Sequence, residues 1–155
     1  MTGTPETIKQ LVEGYDFEPP GRMIADLTAE QATVRREGWP YSIAGVVAHA
    51  LYWQDLWLDG IVGRPNKHKR GSKADWPHVA EEEWESVRDR FLAGMEVARQ
   101  KADDTGDLSR KLDYGMTVEQ TLLRVAVHNS YHVGQIALLR QLLGTWPPAG
   151  GDDAW

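Results

Sequence analysis

The segment from Thr117 to Gly144, "TVEQTLLRVAVHNSYHVGQIALLRQLLG", is the strongest constraint on the fold. It opens on Thr-x-x-Gln, where the hydroxyl and the carboxamide can each cap the other residue's backbone N–H. It closes on Gly144, ahead of Pro147 and Pro148, a combination that ends helices. Between these signals the apolar residues recur with a helical period. The same grammar recurs upstream. Ser42 is a candidate N-cap, followed by Val46, His49, Trp53, Leu56 and Gly60 on one face, and Gly63 and Pro65 stop that helix near Val62. A third helix is predicted from Val79 to Asp104, with Trp84, Val87, Phe91, Met95 and Ala98 as its apolar stripe. A first helix is predicted from Pro5 to the "EPPG" break at Glu18 to Gly21, where two prolines each remove a backbone donor. Arg22 to Leu27 resumes the chain, and Thr28 to Gln31 is a second capping box. No hairpin signal or long alternating stretch suggests a sheet. Four amphipathic helices predict an all-α four-helix bundle. Residues 1–146 are expected to form one domain and 147–155 a loose tail, whose Trp155 could dock.

A chain of 155 residues can bury roughly 70% of its unfolded surface, so it can build a core without staples. The net charge of −6 argues against nucleic acid or an anionic membrane as partner. Cysteine is absent, which removes disulfides and thiolate ligands and leaves His, Asp and Glu as the strong metal ligands. The start "MTGTPETIKQ" lacks a basic region followed by an apolar one, and no apolar run approaches the ~20 residues of a membrane span. A cytoplasmic protein is expected.

Within the last helix, "HNSYHVGQ" places His128 and His132 one turn apart on one face, with Gln135 a turn further on. A wheel puts Thr121, Val125, Ile136, Leu139 and Leu142 on the same half, so the pair is expected to face the core. Buried histidines are often only hydrogen-bonded packing residues. His49 shifts that balance, because it shares an inward stripe with Val46, Trp53 and Leu56 on a different helix. Three imidazoles on inward faces can converge on one ion, whereas isolated ones would each need a partner. Asn129 follows His128, so the His-Glu-x-x-His arrangement with its built-in base is absent. His68 and His78 lie in the polar loop and are read as surface residues.

"YSIAGVVAHALYWQDLW", followed some eighty residues later by "HNSYHVGQIALLRQLLG", resembles the DinB-like (damage-inducible B, YfiT-like) superfamily of bacterial four-helix-bundle metal proteins. The resemblance covers the chain from the second main helix onward, and its most specific element is His-x-x-x-His-x-Gly-Gln-Ile. It implies one divalent ion, nickel or zinc, held by His49, His128 and His132 between the second and fourth helices. It also implies a metal-dependent reaction of small molecules, such as S-transfer with bacillithiol or mycothiol, and a homodimer. Pro19-Pro20-Gly21 departs from the longer first helix usual there.

A non-catalytic metal-binding or stress-response protein and a metal-dependent hydrolase stand as alternatives. With no cysteine, a reacting sulfur must come from a small cosubstrate. Tyr52, Tyr131 and Gln135 are the polar residues nearest the histidines by helical position, and Trp53, one turn from His49, is a candidate pocket wall. Trp39, Trp57 and Trp84 are expected in the core or a pocket wall. The basic stretch Arg64, Lys67, Lys69, Arg70 and Lys73 lacks interleaved aromatics and is read as a solvated loop. Ala126, Ser130, Gly134 and Ala137 are small and would admit a close helix neighbour.

Overall fold

Six α-helices carry the chain in the computed structural model, which describes residues 4–15, 17–65, 68 and 73–151. They are α1 (Thr4–Glu13), α2 (Pro20–Ala25), α3 (Ala29–Thr33), α4 (Ile43–Val62), α5 (Trp84–Asp103) and α6 (Val118–Leu143). No strand occurs among the described residues; an isolated antiparallel bridge joins Lys111 to Thr117 across the turn before α6.

The helix ends follow the local chemistry of the sequence. Thr117 Oγ1 accepts the Gln120 N–H at 3.1 Å while the Thr117 N–H donates to Gln120 Oε1 at 3.0 Å. Thr28 and Gln31 make the same reciprocal pair before α3, and Ser42 Oγ accepts the Gly45 N–H at the start of α4. At the other ends Gly63 and Gly144 both have φ of +73°, the left-handed cap that glycine adopts without strain. Gly14 ends α1 with φ of +83°, and a Cβ there would lie 2.9 Å from the Phe17 carbonyl oxygen. The proline pair does more than break the first helix. Pro20 opens α2, where a missing N–H costs nothing.

Two expectations about boundaries and faces need correcting. The third main helix begins at Trp84, not Val79. Ala80 is extended and donates its N–H to Glu83 Oε2 at 2.9 Å, and the 3-10 turn Glu81–Glu83 precedes α5. Leu142 is half exposed rather than inward, because it sits at the end of α6 beyond its packed neighbours.

α4 packs on α5 and α6, and α1 packs on the same two helices. Between them lie Ile8, Ile43, Val47, Phe91, Leu122 and Val125, all buried. Gln54 crosslinks the three long helices: Nε2 donates to the Phe91 carbonyl at 3.0 Å and Oε1 accepts from Asn129 Nδ2 at 3.0 Å. Gly94 makes room for it, since a Cβ would overlap the Gln54 carboxamide. Closer to its C-terminus α6 is anchored by Arg140, only 1% exposed. Its guanidinium binds both carboxylate oxygens of Asp26, at 2.7 and 3.0 Å, and the carbonyls of Met23 and Thr145.

The tail expected to be loose is tethered over residues 147–151. The Ala149 N–H donates to Asp26 Oδ2 at 2.9 Å and Pro148 is buried. The Asp26 carboxylate explains this, because it serves Arg140 and the returning chain together. Trp155, and Lys67, Lys69 and Arg70 of the basic loop, lie outside the described residues. No helix among the described residues is long and apolar enough to cross a membrane.

Candidate metal centre

His49 projects from α4, and His128 and His132 from successive turns of α6, into the contact between those helices. The ring centroids are 5.4 Å apart for His49 and His128, 4.9 Å for His49 and His132, and 4.4 Å for His128 and His132. His49 and His132 are buried and His128 is half-buried. One ring nitrogen from each lies within 4.8 Å of the other two, close enough for the three to hold a metal ion. The His128 and His132 Nε2 atoms are 3.2 Å apart, near the roughly 3.4 Å expected of two nitrogens on one tetrahedral zinc.

The outer nitrogens are held by acceptors. His49 Nδ1–H donates to the Asp75 carbonyl at 2.6 Å, and His132 Nδ1–H donates to Gln135 Oε1 at 2.7 Å. Both partners are oxygens that only accept, so the protons sit on Nδ1 and the lone pairs on Nε2. That tautomer is the one a ligand nitrogen requires. His128 differs: its Nδ1 is buried with no hydrogen-bond partner among the described residues.

Burial depresses the basicity of all three rings. For His128, burial and then the neighbouring His132 and His49 bring the pKa to about 4. Burial also lowers His49 and His132, opposed by their bonds to Asp75 and Gln135. The rings are therefore uncharged near pH 7, the state in which an imidazole nitrogen can bind a cation. These residues fit a divalent ion: three convergent neutral nitrogens, a matching pair distance, and two rings already turned by their partners.

Aromatic rings wall the cluster. Trp76 stacks flat on His49, with centroids 3.9 Å apart and planes 13° apart, and Tyr41 stacks on the opposite face of Trp76 at 3.7 Å. Trp57 meets His128 edge-on at 5.2 Å, and Trp53 lies 6.3 Å from the same ring.

Of the supporting residues expected from helical position, Gln135 touches the cluster directly. Tyr131 lies edge-on to His132 at 5.2 Å but is 66% exposed. Tyr52 turns elsewhere, its ring 4.1 Å from that of His68 with the planes tilted by 45°, in a separate cavity with Asp55 and Arg90. His68 is consequently half-buried, not a surface residue, whereas His78 is exposed. Trp84 and Trp57 are buried; Trp39 and Trp53 are half-buried. Sequence reasoning missed Asp75, Trp76 and Tyr41. The only local signal was "DWP", aromatic residue and proline in an otherwise polar loop.

Among curated proteins, none matches the chain. The family model described as the DinB superfamily matches residues 22–136, from within α2 well into α6, a span that holds all three histidines. Matched over more than half its length, the chain belongs to the DinB superfamily.

Proposed function

We propose that this protein is a four-helix bundle of α1, α4, α5 and α6 that holds one divalent ion, nickel or zinc, on His49, His128 and His132. In this reading it uses the ion in a reaction of small molecules in the cytoplasm. The observation that carries it is the paired orientation of His49 and His132, whose Nδ1–H groups are bound outward while Nε2 is left for a ligand. A bound ion supplies Lewis acidity, enough to hold a thiol as thiolate or to acidify a water. The reaction we favour is S-transfer from a low-molecular-weight thiol such as bacillithiol or mycothiol, because a cysteine-free chain cannot supply the sulfur itself. The working unit is a homodimer. The exposed residues Leu138 and Leu142 support the C-terminal end of α6 as the contact, two turns beyond Tyr131.

A non-catalytic metal-binding role is favoured by one observation, the Trp76 ring lying flush on His49. Metal analysis of untagged protein tests the centre first. Stoichiometric metal that is lost in His49→Ala and kept in His68→Ala supports the ligand set; equal losses overturn it. Incubating the loaded protein with an electrophile and a panel of small thiols then separates the roles. Turnover with a thiol supports transfer, turnover of esters or amides alone supports hydrolysis, and no turnover supports the binding protein.

A further inference from the structure

A cavity of about 510 Å³ opens beside the histidine cluster, lined by Trp57, Leu123, Arg124, Val127, His128 and Tyr131. One wall is a cluster histidine, which is not true of the smaller cavities of about 370, 200 and 300 Å³ near Tyr52, Pro20 and Tyr41. The volume lies in the range of small-molecule sites. Its walls are otherwise indole, phenol ring and aliphatic side chains, with Val127 61% and Tyr131 66% exposed, apolar surface that a ligand would cover.

Arg124 is the exception. It is exposed, and no hydrogen bond or ion pair to it occurs among the described residues, whereas Arg88, Arg90, Arg99, Arg110 and Arg140 each bind a carboxylate. It stands one helical turn before His128, so both side chains lie on the same side of α6. A guanidinium matches a carboxylate through two parallel N–H bonds, and a single arginine suits a monoanion. Dispersion and apolar burial along Trp57, Val127 and Tyr131 favour an aryl or branched alkyl body.

We propose that this cavity is the substrate pocket of the centre and takes a small carboxylic acid with an apolar body, its carboxylate on Arg124 and its body reaching His128. That the pocket serves a metal reaction rests on the function proposed above; its selectivity for an apolar acid does not.

Calorimetric titration with 4-phenylbutyrate and its neutral amide tests the selectivity. The acid is expected to bind the metal-loaded protein at least 10-fold more tightly than the amide. Arg124→Met should abolish that preference, and Val127→Trp, which fills the groove at an exposed position, should weaken both compounds. Neither variant should change metal content. His49→Ala should lose metal yet keep the preference for the acid, so a failed metal centre and a failed pocket give different results. Equal binding of acid and amide, or an unchanged preference in Arg124→Met, overturns the inference. So does a Val127→Trp protein that turns from dimer to monomer in sedimentation velocity, since a second copy then covers the groove.

Discussion

α6 carries two buried polar clusters two turns apart, and they are built on opposite principles. Around Arg140 the guanidinium meets two carboxylate oxygens and two backbone carbonyls, so an expensive buried charge is fully matched. Around His132 three similar rings are pushed together, His49 lowering the basicity of both others and His132 that of His128, and His128 Nδ1 is left without a partner. The first arrangement is complete as it stands and ties α6 to α2 and the returning tail. The second is costly unless something binds it. Buried polarity that satisfies itself serves the fold, and buried polarity that converges without satisfying itself marks a site.

Exchanging one residue in each cluster for an apolar one breaks this contrast most directly. Arg140→Met leaves Asp26 without its cation. Because Asp26 is about a third exposed, the loss should fall at the low end of the range for broken buried pairs, about 3 kcal/mol. That is a drop of roughly 6–12 °C in melting temperature by calorimetry, with metal stoichiometry unchanged. His128→Leu should do the reverse. Metal affinity, measured by competition with a chelator, should fall at least ~100-fold, while the metal-free melting temperature stays level or rises, because an unpaired polar atom has gone.

Smaller changes sharpen the same comparison. Gln135→Leu and Trp76→Leu remove what orients His132 and His49 without removing a ligand. Each should weaken metal binding by ~10-fold and leave the other histidine contacts intact. Trp76→Phe, which keeps a stacking ring, should recover most of that loss. The smallest effect concerns acid. Burial raises the Asp26 pKa, but its bonds to Arg140 and the Ala149 N–H outweigh this and hold the carboxyl below its ordinary value of 3.8. A depressed carboxyl stabilises the fold above its unfolded pKa and loses that contribution as pH falls through its folded one. Acid titration should therefore cost the wild type stability below pH 3.8, and cost Arg140→Met less over the same range.

Much of this molecule was legible in the chain because helix ends are local. Thr28 with Gln31, Thr117 with Gln120, and Ser42 with Gly45 are three residues apart, so their pairing needs no knowledge of the rest. His49 and the His128–His132 pair were readable as inward-facing because each lies on a helical stripe of known period. The start of α5 is not legible locally: Val79 is apolar and buried but lies outside the helix, and Ala80 is extended and caps the turn that follows.

What the sequence determined by itself was therefore the set of helices, most of their ends, and the three histidines that could meet. What only the tertiary structure decided was how those histidines are held and what surrounds them. The Asp75 carbonyl reaches His49 across 26 residues, Gln54 reaches Asn129 across 75, and Arg140 reaches Asp26 across 114. Caps and stripes depend on neighbours fixed by the backbone. These contacts depend instead on helices closing against one another, so no local pattern announces them.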